Sequence, residues 1–167
     1  MKKKLLFVID SLYIGGAEKS LISLLNTIDY NKYEVDLLLF KKGGDFERYI
    51  PTEVRVLETP EYYRFISGKR FGFKKDIIYL INRLKTSINL RINNYKKTEL
   101  HSEQVVFKSI QKCLNSNLEK YDVAIAYSQG MPTYFVANKV NANRKLAWIN
   151  TDYDRKSTRL NSSHPLD

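Results

Sequence analysis

Apolar and polar residues follow two different spacings in the first forty residues of the chain. Residues 5–9 are continuously apolar, which is typical of a strand buried on both faces of a sheet. After a turn, four aliphatic residues recur at the spacing of one helical face: Leu21, Leu24, Leu25 and Ile28. A second extended run follows at 33–40. The pattern therefore predicts a β-α-β unit with a right-handed crossover.

The later apolar segments continue this alternation. They predict strands at 54–57, 121–127 and 145–149, and helices at 73–100, 102–118 and 134–140. Strands that alternate with helices imply an α/β fold, here a Rossmann-like parallel sheet flanked by helices. Ligands of such sheets bind beyond the carboxyl ends of the strands, so the expected site is formed by 10–16, 127–130 and 150–153.

Length and cysteine content narrow the class of protein. A chain of 167 residues suits one globular domain with a single core. The single cysteine, Cys113, cannot form an internal disulfide, and its place on the apolar side of helix 102–118 predicts that it is buried. The first apolar run ends at Asp10, which is too short for a signal peptide, and no run approaches a membrane span. We therefore expect a protein of the reducing cytosol.

The positive charge is concentrated in one part of the chain. Residues 64–112 carry 12 basic groups against 3 acidic ones, a net charge of +9, whereas the formal charge of the whole chain is +10. Within this segment, Ile77, Ile81, Leu84 and Ile88 recur at helical spacing. Helix 73–100 is therefore predicted to be basic and amphipathic.

Three separate segments resemble one family. Gly15-Gly16-Ala17-Glu18 follows a predicted strand and opens a helix, and it resembles the diglycine motif of retaining GT-B glycosyltransferases that act on lipid-linked and polysaccharide acceptors. The segments 121–127 and 145–149 resemble later strands of that family's amino-terminal domain. The resemblance covers most of residues 1–153 and implies the acceptor-side half of a GT-B fold.

The resemblance implies an enzyme that transfers a sugar from a nucleotide-sugar to a lipid-linked or surface-glycan acceptor in the cytoplasm. The nucleotide-sugar would be a co-substrate, and neither a bound cofactor nor a metal is expected. In this family the donor is held mainly by a second, carboxyl-terminal domain, which cannot be found in the sequence. We therefore expect this chain alone to transfer no sugar, and no catalytic residue is assigned.

The diglycine motif supplies the first candidate binding residues. Glycine lets the backbone approach an anion closely, and the amide groups at a helix amino terminus favour phosphate, so Gly15 and Gly16 are candidate ligand contacts. The alternative is a tight turn between strand and helix. Glu18 either contacts the ligand or serves only as an acid in the first helical turn.

The loops after the later strands supply the remaining candidates. Ser128, Gln129 and Gly130 are expected to touch an acceptor, although ordinary turn chemistry would also explain them. The family commonly has a histidine where this chain has Asn150, and an asparagine can contact a sugar but cannot act as a base near neutral pH. Asp152 could orient an acceptor hydroxyl, or it could be a solvated loop carboxylate.

The basic segment has three interpretations. Domains of this family often place basic and apolar surface against a membrane, which implies an anionic lipid surface at the inner face of the cell membrane as partner. A solvated helical face is the second interpretation. Nucleic acid is the third, because aromatic residues at 62, 63, 65, 71 and 73 lie among the basic ones, but no recognised nucleic-acid motif accompanies them, and this partner is not favoured.

The end of the chain differs from the rest. Residues 154–164 match the translation of a common sequencing-library adapter, and no apolar periodicity continues there. We therefore expect residues 154–167 to be a non-native tail, or alternatively a disordered polar one, with residues 1–153 forming the domain.

Two rival functions remain open at this point. The first is a non-catalytic α/β module that binds membrane or nucleic acid through its basic helices. The second, a nucleotide-binding protein of unrelated chemistry, ranks lower because the chain has neither a P-loop nor a Gly-x-Gly-x-x-Gly motif.

Overall fold

A computed structural model of the chain describes residues 1–96, 100–114 and 119–149, and its centre is a five-stranded parallel sheet. The strands are β1 (Lys3–Ile9), β2 (Tyr33–Leu39), β3 (Arg55–Val56), β4 (Tyr121–Ala126) and β5 (Ala142–Ala147). Their order across the sheet is β3-β2-β1-β4-β5, and every neighbouring pair is parallel. The expected α/β fold with a Rossmann-like parallel sheet is confirmed.

Helices cover both faces of this sheet. They are α1 (Gly16–Leu25), α2 (Glu61–Ile66), α3 (Phe73–Tyr95), α4 (Ser102–Ile110) and α5 (Met131–Lys139), with short 3-10 helices at Asp45–Tyr49 and Gln111–Cys113. Leu6 and Val8 of β1 pack in the core shared with α2 to α5, whereas Phe7 and Ile9 pack in the core shared with α1. The continuous apolar run of β1 is therefore explained by burial on both of its faces.

The described elements differ from the sequence predictions mainly at their ends. Helix α1 buries Leu21 and Leu25 completely, while Leu24 and Ile28 are half-buried at the margin of the same core. Helix α4 ends at Ile110, well before the predicted residue 118. Helix α2 was not predicted, because six residues are too few to show a helical period. Cys113 is buried, as predicted.

The apolar stripe of α3 faces away from the rest of the described chain. Ile77, Ile81, Leu84 and Ile88 are all exposed, and Leu84 is 65% exposed. The opposite side of the helix faces α4 with polar groups, since the Asn89 side chain donates to Ser109 Oγ at 3.0 Å. Within the described residues, none of the helices combines the length and apolar character needed to cross a bilayer.

A buried carboxylate attaches the short strand β3 to the sheet. Asp36 of β2 is 2% exposed and accepts two hydrogen bonds from the Arg55 guanidinium, at 2.8 and 2.7 Å. The Tyr121 hydroxyl donates a third, at 2.6 Å. Because β3 has only two residues, this bidentate pair is a main part of its attachment.

Candidate functional site

The loops that follow β1 and β4 meet at one point on the carboxyl edge of the sheet. These two strands are neighbours, but their connections leave in opposite directions across the sheet, toward β2 and toward β5. Open parallel sheets bind ligands at such a switch point. The Ser128 hydroxyl donates to Asp10 Oδ2 at 2.9 Å and so joins the two loops. The structure thus brings together two of the three segments that the sequence predicted.

The diglycine motif connects β1 to α1, as predicted. Gly15 precedes the first helical turn with an extended φ of −170°, and Gly16 is not among the glycines with positive φ. In the described part of the chain, a Cβ at Gly16 would meet no atom within 4 Å. Glycine is therefore not required by the backbone conformation at either position, and the space beside Gly16 is open to a ligand.

Glu18 lies over the start of α1. Its carboxylate packs against Gly15 and occupies the position that a Cβ there would take. An acid in the first helical turn interacts favourably with the helix dipole. A phosphate bound at the same place would meet this negative charge, so the diglycine turn suits a neutral ligand group unless Glu18 moves.

Asp10 is the central carboxylate of an acidic part of this edge, here called the acidic side, which also includes Glu18 and Glu103. The sequence alone pointed only to the loop that contains Asp10. Solvent reaches it, but the crowded surroundings raise its pKa to about 6, and the nearby charges of Glu103 and Glu18 act in the same direction. The hydrogen bond from Ser128 partly opposes this shift. Among the described residues, no cluster of three potential ligand side chains is arranged to hold a metal ion.

Gly130 is a glycine that the backbone geometry requires. Its φ of +86° lies in a region that other residues rarely adopt, and a Cβ would overlap the carboxylate of Glu103 on α4. Helix α5 begins at the next residue, and Ser128 and Gln129 are half-buried beside it. The loop after β4 is therefore packed tightly against α4.

The other half of the edge, beyond β2 and β3, is basic. It contains a cavity of about 310 Å³ lined by Phe40, Lys41, Lys42, Glu58, Thr59, Arg64, Ser67 and Lys69. Four of these residues are cationic and only Glu58 is acidic. The Lys41 amide donates to the Asp10 carbonyl at 2.8 Å, so the cavity adjoins the acidic side.

A turn at the end of α2 positions two of the cations. The amides of Gly68 and Lys69 donate to the carbonyls of Phe65 and Arg64, both at 3.0 Å, and Gly68 has a φ of +100°. This is the Schellman arrangement that ends many helices. It returns Lys69 toward Arg64, and both cations lie over the Phe71 ring, at 5.9 and 5.1 Å from its centre.

Tyr63 has a buried hydroxyl with no hydrogen-bond partner among the described residues. Its ring stacks on Phe40 with the centres 4.6 Å apart. Burial raises the pKa of Tyr63, and the negative charge of Asp10 contributes in the same direction. The hydroxyl is therefore an unused proton donor, which a ligand oxygen could reach only after local movement of the surrounding side chains.

The structure also bears on one of the alternatives for the basic segment. The aromatic residues considered as a stacking surface for nucleic acid mostly pack inside the protein, since Tyr62 and Phe65 are buried and only Phe73 of the five is exposed. Asn150, Asp152 and the whole tail from 154 onward lie outside the described residues. Asp10 and the basic cavity were missed as site features, although a carboxylate directly after β1 and two lysines directly after β2 were visible signals.

No protein-family model matches this chain, and no match was found among curated proteins either.

Proposed function

We propose that this chain is the acceptor-side domain of a retaining glycosyltransferase, which transfers a sugar from a nucleotide-sugar to a lipid-linked or surface-glycan acceptor. The observation that carries the proposal is the junction at the switch point, where the open diglycine turn lies beside the Asp10–Ser128 pair. Carboxylate and hydroxyl groups of this kind bind sugar hydroxyls through charge-assisted hydrogen bonds.

Each group has a distinct role in this proposal. Asp10, with a pKa of about 6, is mainly ionised at neutral pH and accepts a hydrogen bond from an acceptor hydroxyl. The Tyr63 hydroxyl donates to a ligand oxygen once local movement exposes it. Gly16 leaves room for the ligand to approach the backbone. During transfer the acceptor oxygen bonds to the anomeric carbon, and the bond from that carbon to the nucleotide's phosphate oxygen breaks. The nucleotide departs with the bonding electron pair, and the acceptor's hydroxyl proton passes to the departing phosphate.

The proposal also includes contact with an anionic membrane through α3. Lys74, Lys85 and Arg91 lie one helical turn from members of the exposed stripe and flank it. An exposed apolar patch with a polar rim marks an interaction surface, and each basic group near anionic lipid contributes about 1 kcal/mol. The stripe and its flanking cations fit a bilayer surface.

The membrane contact is tested with paired substitutions on α3. Co-sedimentation is measured with vesicles of phosphatidylcholine alone and of phosphatidylcholine mixed with phosphatidylglycerol, each over a salt series. We expect the chain to sediment with the mixed vesicles, Leu84→Glu to abolish this, and the exposed polar control Asn94→Glu to preserve it. Equal loss in both variants, or equal binding to neutral vesicles, would contradict the contact.

The enzymatic part is tested by transfer from labelled nucleotide-sugars into an extract of membrane lipids and glycans. A protein that joins this chain to a donor-binding domain, here called the two-domain protein, is expected to transfer label, and the 167-residue chain alone is expected not to. Robust transfer by the 167-residue chain would refute the division into acceptor and donor halves. Vesicle binding without transfer by the two-domain protein would instead favour a non-catalytic membrane-binding module.

A further inference from the structure

The cavity beyond β2 and β3 concentrates positive charge in a small space. Lys41, Lys42, Arg64 and Lys69 line it, and Glu58 is its single acid. Like charges repel one another when they are brought together, and they are tolerated best where an anion can compensate them. The composition of the lining therefore points to a ligand with at least one negative charge.

Arg64 gives independent support for an anionic ligand. Its side chain is only 19% exposed, and one terminal nitrogen forms an ion pair with Glu58. Its Nε is buried and has no hydrogen-bond partner among the described residues. Buried N–H groups without an acceptor are rare, and a guanidinium fork matches the oxygens of phosphate. Because this Nε is closed to solvent, a ligand oxygen reaches it only if the Arg64 side chain rotates toward the cavity.

The cavity is small and broadly open to solvent. A volume of about 310 Å³ is at the lower end of the roughly 300–1,000 Å³ typical of small-molecule sites. A phosphate or diphosphate group suits a space of this size, and the rest of a larger ligand would extend beyond its open side. The acidic side, with Asp10, Glu18 and Glu103, repels a phosphate and would hold only the neutral part of the same ligand.

We propose that this cavity is a binding site for a diphosphate group. Lys42 and Lys69 attract the anion, and Arg64 binds its oxygens. The neutral sugar attached to that diphosphate then lies toward Asp10 and Ser128. This last step rests on the proposed function, and it makes the acceptor a sugar carried on a diphosphate, as in lipid-linked glycans. The diphosphate could equally belong to a soluble ligand, so the experiment includes both sources.

The test uses the 167-residue chain and inorganic pyrophosphate, titrated by calorimetry and by amide chemical shifts at fixed ionic strength. We expect saturable binding, with shifts concentrated at residues 41–42 and 64–69. The double variant Lys42→Gln with Lys69→Gln should weaken binding about tenfold or more, because it removes two charge-assisted contacts. The control, Lys2→Gln with Lys120→Gln, changes the net charge equally at exposed positions just before β1 and β4, at the opposite edge of the sheet, and should stay within about twofold.

Non-saturable binding, or equal weakening in the two double variants, would overturn the site and indicate general attraction to a basic protein. A short prenyl diphosphate in detergent micelles serves as the lipid arm. If the prenyl diphosphate binds more tightly than pyrophosphate, the natural ligand is a lipid headgroup. If the two bind equally, it is a soluble diphosphate. Either result supports a diphosphate site in this cavity. Pyrophosphate binding with no sugar transfer by the two-domain protein would refute only the proposed function, whereas transfer without pyrophosphate binding would refute only this site.

Discussion

The attachment of β3 allows a quantitative prediction about a buried charge. Asp36 is almost completely buried, while the Arg55 side chain is half exposed, so the two partners respond differently to removal of the other. Arg55→Met leaves the carboxylate with Tyr121 as its remaining donor among those described, and should lower the free energy of unfolding by about 3 kcal/mol, the lower part of the range for a broken buried pair.

Asp36→Asn has a smaller expected effect. Arg55 can regain water at its exposed side, and the amide oxygen can still accept from Tyr121, so a loss of about 1–2 kcal/mol is expected. The double variant no longer contains a buried unpaired charge and should be more stable than Arg55→Met alone. The coupling between the two positions should then amount to about 2 kcal/mol.

Urea unfolding at neutral pH measures these free energies for the wild type, both single variants and the double variant. The slope of the transition should not change between them, because the area exposed on unfolding is nearly the same. An Arg55→Met variant as stable as the wild type would refute the role of this ion pair. So would a double variant whose loss of unfolding free energy equals the sum of the two single losses.

The remaining predictions concern the loops at the sheet edge. Gly130→Ala should lower the free energy of unfolding by about 1–3 kcal/mol because of its positive φ and the overlap with Glu103. Gly16→Ala should change it by less than about 0.5 kcal/mol. Urea unfolding measures both, and equal changes in the two variants would contradict this expectation. The Asp10 carboxyl should titrate near pH 6 in a carbon-detected NMR titration, and Ser128→Ala should raise that pKa further, since the hydroxyl donates to the ionised form; an ordinary value near 4 would contradict the crowding at this site. Because the folded-state pKa of Asp10 is raised, this group favours folding at low pH, and its contribution is lost as the pH rises through about 6. Asp10→Asn should therefore have a higher free energy of unfolding than the wild type at pH 7. Below about pH 4 the two free energies should be equal.

The sequence predicted those features that depend on long, continuous patterns. The run at 5–9 is apolar throughout and the one at 33–40 is apolar at six of eight positions, and both became central strands buried on both faces. The rule that ligands bind at the carboxyl ends of parallel strands then placed the loops after β1 and β4 at the same edge. The meeting of Asp10 with Ser128 follows from that rule and from the strand order.

Other features depend on contacts that no local pattern reveals. The basic cavity joins residues from three separate segments, at 40–42, 58–59 and 64–69, which become neighbours only when β2 and β3 pair. Periodicity identified the apolar stripe of α3 but not its direction, because a helical period is the same for an inward and an outward face. The pKa of Asp10 depends on Glu103, which lies far along the chain on α4.

The central claim is that the loops after β1 and β4 hold the acceptor in a sugar-transfer reaction. The most direct measurement is the acceptor KM of the two-domain protein, compared between Asp10→Asn and Asp29→Asn, an exposed carboxylate in the loop before β2 at the opposite edge of the sheet. The account predicts sugar transfer with a KM raised about tenfold or more by Asp10→Asn, as expected for a lost charge-assisted hydrogen bond, and left unchanged by Asp29→Asn. Absence of transfer from every nucleotide-sugar supplied, or equal KM values in the two variants, would contradict it.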